Sequence, residues 1–169
     1  MSTTTQHPSP AQGPIVFAYD GSELAKLAID EAARQLAPGR AALVLTVWQP
    51  FDVGFIPAED IGFDAAQISD VKQAAEHTAA QGASRAQAAG FDARSAAAET
   101  SPTWKGIVKA ADENDASLIV LGSHGRNGFA GALIGSVAEA VAAHSRRSVL
   151  ITHRRDPGDA STAHATSDR

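Results

Sequence analysis

Gly122-Ser123-His124-Gly125, nine further residues and then Gly135-Ser136 form the spacing in this chain best suited to chemistry. The segment follows the apolar run Leu118-Ile119-Val120-Leu121 and leads into an amphipathic run beginning at Val137. It therefore reads as strand, glycine-rich loop and helix. A loop poor in side chains lets backbone N–H groups approach an anion, and a helix start adds a favourable dipole. The chemistry implied is the binding of a phosphate-bearing ligand. Gly122 ends the strand, where a side chain would obstruct a ligand, and Gly125 permits a turn at positive φ. Ser136-Val137-Ala138-Glu139 matches a capping box. Ser136 is thus expected to cap its own helix, to donate to a phosphate oxygen, or to do both. Arg126 is a cation on the same loop, able either to pair with phosphate or to stay exposed.

Other phosphate and nucleophile patterns do not fit. A P-loop needs two glycines five apart followed by Lys and Ser or Thr, and no such run exists. G-x-G-x-x-G and G-x-S-x-G are also absent. His124 has no carboxylate near it in sequence to orient it, so it reads as a residue packing the loop rather than a base. The six histidines show no paired helical spacing and there are no cysteines, which argues against a protein-held metal.

The elements that must position this loop alternate along the chain. Ile15 to Tyr19 is a short apolar run ending at Asp20-Gly21-Ser22. Ala25, Ile29, Ala32 and Leu36 repeat at helical spacing until Pro38-Gly39. Ala41 to Val47 reads as a second buried strand, and Trp48 to Asp64 as an irregular stretch suited to a lid or an interaction surface. A long helix is expected over 65–89 and a weak strand over 91–99. A helix then follows, capped by Ser101 with Pro102 at its first position. Strands at 118–121 and 149–152 flank a helix over 136–145. Strands one, two, four and five are near-continuously apolar, as burial on both faces requires. Five β runs separated by helices make this an α/β fold, a five-stranded parallel sheet with helices on both faces. Ligands of such sheets sit beyond the strand carboxyl ends at a topological switch point. Asp20 and Gly122 both lie at such ends.

Composition narrows the function further. The chain has 169 residues, of which 44% are hydrophobic, enough for one domain with a sizeable core. Its net charge of −5 lacks the basic face that nucleic acid calls for. The N-terminus does not read as a signal peptide, and no apolar run reaches membrane-spanning length, so no membrane partner and a cytoplasmic location are expected. Residues 1–13 and 154–169 read as disordered tails around an ordered domain over 14–153.

The Gly-2x-Gly-9x-Gly-Ser spacing, with its Gly-Ser-His-Gly wording, resembles the ATP-binding signature of the universal stress protein family. Ile15 to Ser22 resembles that family's first strand and Asp-Gly-Ser turn. Leu133 to Glu139 and Val149-Leu150-Ile151 resemble its fourth helix start and terminal strand. The resemblance implies a Rossmann-like fold, akin to the adenine nucleotide alpha hydrolases. It also implies an adenine nucleotide, ATP or else ADP or AMP, as ligand. On this resemblance Gly122, Ser123, His124, Gly125, Arg126, Gly135 and Ser136 line the phosphate cradle, and Val137 adds a helix amide. Asp20 lies near the nucleoside and near Mg2+ carried in by the nucleotide. Its other reading is a helix N-cap paired with Glu23. Val47 meets the adenine edge through its backbone. Ala18 stands where many relatives have glycine and slightly crowds the ligand. Arg146-Arg147-Ser148 replaces a proline-containing lead, leaving the start of the last strand less defined.

An apolar last strand, 149–152, at a sheet edge invites self-pairing, and the resemblance implies homodimers. The expected function is that of an ATP-binding, nucleotide-dependent stress-response regulator without dedicated turnover, acting on a protein partner the sequence does not name. Two other readings stand beside it. One is a slow ATPase using Asp20-held magnesium with Ser136 or Arg126, and the other a nucleotide-independent interaction protein of the same fold.

Overall fold

The computed structural model describes residues 13–50, 65–124 and 134–154. Gly125 and Arg126, the irregular stretch from residue 51 to 64, and the expected tails up to residue 12 and from 155 onward lie outside the described residues.

The elements follow in the order β1 (Ile15–Ala18), α1 (Glu23–Gln35), β2 (Ala41–Trp48), α2 (Ala65–Ala88), β3 (Asp92–Glu99), α3 (Thr103–Glu113), β4 (Leu118–Gly122), α4 (Ser136–His144) and β5 (Ser148–Thr152). The strands form one parallel sheet in the order β3-β2-β1-β4-β5. β1 is central, with Ile15 opposite Ala42 on one side and Leu118 on the other. The chain winds outward from β1 in both directions, so the switch point falls between β1 and β4, as the sequence pattern predicts.

Alternation along each strand sends side chains to two separate cores. Ile15, Phe17, Val44 and Val120 pack under α1 and α2 with Ile29, Ala32, Ala83 and Ala86. Val16, Leu43, Leu45, Ile119 and Leu121 pack under α3 and α4 with Ile107, Ala111, Ala138 and Val141. Phe17 and Phe91 meet edge to face at 5.2 Å. The long helix α2 lies close to the sheet because it presents alanines and Gly82. A Cβ at Gly82 would lie 2.7 Å from both Tyr19 Cδ1 and Val44 Cγ1.

Three expectations change at the ends of elements. Ser101 does not cap α3; Pro102 occupies the cap with no side-chain bond, one residue later than the spacing predicts. β5 is not buried on both faces: Val149, Leu150 and Ile151 are half-buried, because an edge strand has only one neighbour to shield it. The start of β5 is firmly held rather than loosely defined. Arg147 reaches back to the α3–β4 turn, its Nε 3.0 Å from Asp112 Oδ1 and its Nη1 3.1 Å from the Ala116 carbonyl. Its backbone N–H also donates to Ser145 Oγ at 2.9 Å. No helix among the described residues is long and apolar enough to cross a membrane.

At the other end of β5, Thr152 is 5% exposed and its Oγ1 has no hydrogen-bond partner among the described residues. A buried hydroxyl without a partner loses its hydration for nothing in return. Thr152→Val, which replaces it with a methyl of similar volume, is expected to stabilise the chain by about 1 kcal/mol, read as a higher midpoint in urea unfolding. A lower midpoint would show that the hydroxyl is satisfied.

Candidate nucleotide site

The carboxyl end of β1 is tied to β2 beyond the last strand pair. Tyr19 N donates to the Leu45 carbonyl at 2.9 Å, and the buried Thr46 hydroxyl donates to the Tyr19 carbonyl at 2.8 Å. Thr46 thus fixes where Asp20 emerges, a role that a lone threonine inside the run Ala-Ala-Leu-Val-Leu-Thr-Val signals only faintly. Asp20 is half-buried, and its Oδ1 accepts the Ser22 N–H at 3.0 Å. The cap of α1 is Ser22, whose Oγ accepts the Ala25 N–H at 3.2 Å. The alternative reading of Asp20 as N-cap is therefore corrected. Its carboxylate shapes the turn before the helix and stays at the strand end.

Burial and neighbouring charges perturb several groups near this end, Tyr19 and Glu23 among them. Burial pushes the Tyr19 phenol above its ordinary value, and the Lys26 and Arg85 cations oppose that shift. The folded chain holds this proton to higher pH than the unfolded chain, so its contribution is lost as pH rises through the folded value. Glu23 is held below the usual carboxylate range by its hydrogen bond from Lys26, 2.6 Å away.

Val47 stands opposite Ala98 of β3, and Ala18, the last residue of β1, stands opposite Leu45. Leu45 directs its carbonyl toward β1, and Trp48 directs its own toward β3, accepting from Thr100 N at 3.1 Å. Backbone groups alternate sides along a strand. The N–H and C=O of Val47 therefore face the β1 side, beyond the point where β1 has ended. The side chains of Val47 and Ala18 both pack against the α3–α4 core.

β4 supplies the opposite wall. Ser123 N donates to the Thr152 carbonyl at 2.8 Å, prolonging the β4–β5 ladder by one residue. Gly135 N donates to the Ser123 carbonyl at 2.7 Å, which brings the two ends of the glycine-rich segment together. The capping box does not form. Gly135, not Ser136, is the N-cap of α4 and makes no side-chain cap bond, while Ser136 is the first helical residue and is exposed. Glu139 N bonds the Gly135 carbonyl at 2.9 Å, as an ordinary first helical bond. Ser136 is thus relieved of capping duty, and Val137 beside it is 37% exposed. The buried Ser123 hydroxyl lies 3.1 Å from His124 Nδ1.

Gly122 has a different reason for being glycine than the sequence suggests. A Cβ there would lie 2.8 Å from Leu24 Cβ and 3.0 Å from the Leu24 carbonyl carbon. The close neighbour is the first turn of α1, crossing over the end of β4, and it leaves no room for a side chain. Among the described residues no group of three or more His, Asp or Glu side chains could hold a metal. A single carboxylate such as that of Asp20 would suit magnesium bound chiefly by phosphates and water, the usual coordination of that ion beside a nucleotide.

The fold defines a doubly wound α/β protein whose topological switch point lies between β1 and β4. The model of the universal stress protein family matches residues 13–153. Universal stress protein Rv2005c of Mycobacterium tuberculosis is 31% identical over 158 residues, covering 87% of this chain and 48% of its own length. This chain spans about half the length of the curated relatives it matches. The solved structure of the protein MJ0577 shares the fold, with a TM-score of 0.71 at 22% identity, covering 85% of this chain and 97% of that one. A universal stress protein solved in complex with cAMP is 30% identical, with a TM-score of 0.53, covering 85% of this chain and 98% of that one. The chain belongs to the universal stress protein family.

Replacing Gly122 by alanine tests the packing account. Leu24 contributes backbone as well as side-chain atoms to the contact, so a shift of α1 is required. Gly122→Ala is expected to cost about 1–3 kcal/mol of unfolding free energy with no ligand present, measured by chemical denaturation. Unchanged stability would return the glycine to a purely ligand-facing role.

Proposed function

We propose that this protein binds an adenine nucleotide, foremost ATP, in the crevice between the carboxyl ends of β1 and β4. In this reading it acts as a nucleotide-dependent regulator. The observation that carries it is the bond from Gly135 N to the Ser123 carbonyl. It sets the start of α4, with no side chain capping it, at the mouth of the crevice. The N–H groups and positive dipole end of a helix start favour phosphate. The base would lie at the Val47 backbone, whose polar groups face the space beyond β1, and Ser136 and the amide of Val137 would meet phosphate oxygens. Asp20 would hold magnesium brought by the nucleotide, and that ion would offset phosphate charge. The cAMP complex of the 30%-identical relative supports a purine nucleotide of some kind and widens the set of ligands to compare.

Binding rather than dedicated turnover is the reading adopted. Among the described residues the histidine at the loop has its Nδ1 beside a serine hydroxyl rather than a carboxylate that would tune it as a base. A ligand that binds only the folded state must raise its stability. Purified protein is expected to release an adenine nucleotide on denaturation, identified by mass spectrometry, and to melt at higher temperature with millimolar ATP and magnesium. AMP and cAMP serve as comparison ligands in the same melt. No released nucleotide together with an unmoved melting temperature would favour the nucleotide-independent interaction protein.

The edge of β5 supports a homodimer. Its half-buried Val149, Leu150 and Ile151 lie on a strand that, among the described residues, pairs on one side only, and Arg147 anchors its start. A second copy pairing there would cover the other side. Light scattering at micromolar concentration is expected to return twice the chain mass, and a monomer would remove this part of the reading.

A further inference from the structure

In a parallel ladder, a residue that donates its N–H to a carbonyl of the neighbouring strand returns its own carbonyl to the N–H two residues further along that strand. Tyr19 N donates to the Leu45 carbonyl at 2.9 Å, so the next bond of the β1–β2 ladder would run from Val47 N to the Tyr19 carbonyl. That bond does not form, and the register ends with Ala18 opposite Leu45. The Tyr19 carbonyl accepts from the Thr46 hydroxyl instead, at 2.8 Å. Thr46 is only 7% exposed. Its side chain is on the same face of β2 as that of Val44, which packs under α1 and α2. The hydroxyl therefore meets the carbonyl from outside the plane of the ladder. A side chain stands in for the next backbone donor, and the ladder stops one bond short.

Val47 is left with its N–H turned toward β1 and without the ladder partner that the register offers. Beyond it, the Trp48 carbonyl is still held by Thr100 N of the β3 side, at 3.1 Å, so β2 keeps its course. The N–H and C=O of one strand residue face the same way and form a donor beside an acceptor. The adenine edge is the complement of that pair, a ring nitrogen that accepts beside an amino group that donates. Hypoxanthine presents the reverse order, a ring N–H beside a carbonyl.

We propose that Thr46 is a positioning residue for base recognition: by occupying the Tyr19 carbonyl, its hydroxyl keeps the Val47 N–H out of the sheet and available to adenine. This rests on the nucleotide-binding reading above and deepens it. The preference for adenine over hypoxanthine then depends on a hydroxyl that does not touch the base.

Two variants of the full chain separate the hydroxyl from the shape of the side chain. Thr46→Ser keeps the hydroxyl, and Thr46→Val keeps the volume without it. Amide hydrogen exchange followed by NMR on ligand-free protein reads the sheet. In the unsubstituted chain the Val47 amide is expected to exchange about a hundredfold faster than that of Leu45, which is paired within the ladder. In Thr46→Val it slows toward Leu45, because the Tyr19 carbonyl takes up the Val47 N–H. Isothermal titration calorimetry with AMP and with IMP reads the ligand. Thr46→Val is expected to bind AMP about tenfold more weakly while IMP changes less, and Thr46→Ser to keep both affinities. A residue that only supports the fold would weaken AMP and IMP alike and leave Val47 exchange as it was. That result overturns the inference, and so does unchanged AMP binding in Thr46→Val. If Thr46→Val does not fold, the unsubstituted chain decides: a Val47 amide protected as well as that of Leu45 overturns the inference, and a fast one with AMP preferred over IMP supports it. Each of these results, with AMP still bound by the unsubstituted chain, bears on the inference alone. If the unsubstituted chain binds neither AMP nor IMP, the nucleotide-binding reading falls and takes the inference with it.

Discussion

The double pairing of β1 is the constraint on which the rest of the structure depends. Four residues, Ile15 to Ala18, hydrogen-bond to β2 on one side, and three of them are in register with β4 on the other. A strand so placed has no open edge, and its side chains enter both cores in turn: Ile15 and Phe17 one, Val16 the other. Parallel neighbours demand crossover helices, and those helices cover both faces. Because the chain leaves β1 toward β2 and returns to its far side at β4, the loops after β1 and β4 part from one another. The crevice between them is a consequence of connectivity before any ligand is considered.

Close packing then sharpens that crevice. The first turn of α1 crosses the end of β4 at Gly122, and the same turn carries Ser22, which caps α1, and Asp20, which accepts the Ser22 N–H. One contact between Leu24 and Gly122 therefore sets the distance between the two walls. Thr46 holds the end of β1 from the other side through the Tyr19 carbonyl. Burial of side chains such as Phe17 or Ile29 stabilises the fold by about 1.5–3 kcal/mol each. Their further effect is on position, since they set where α1 lies and hence where the carboxylate and the cap emerge.

The outer strands have unequal anchors. β3 pairs along all eight residues with β2 and lies under α2. β5 is shorter, half-exposed, and held at its start by Arg147. Arg147 is partly solvated and its carboxylate partners more so, and exposed ion pairs contribute little on their own. Its bond to the Ala116 carbonyl adds direction, because it joins the beginning of β5 to the beginning of β4. The fixed position of β5 in turn steadies Ser123, whose N–H bonds the Thr152 carbonyl. The edge strand is thereby linked to the loop that the family signature marks.

The order and type of the elements were legible in the sequence because each depends on local pattern. Ile15 to Tyr19 and 118–121 are apolar runs too short for helices, and Ala25, Ile29, Ala32 and Leu36 repeat at helical spacing. The signature glycines and Ser136 were legible for the same reason, as letters at fixed intervals. The roles of single residues depend on what packs against them, and that the tertiary structure alone decided. Gly122 is small because Leu24, distant in sequence, passes over it. Ser22 rather than Asp20 caps α1, and Gly135 rather than Ser136 caps α4, because a cap is chosen by backbone direction at the helix start and not by residue type. Arg147, part of a lead that departs from the family pattern, holds β5 because the turn after α3 comes within reach. Spacing determined which elements form and where the glycine-rich segment falls between them; contact between residues far apart in the chain decided how single side chains there pack and bond.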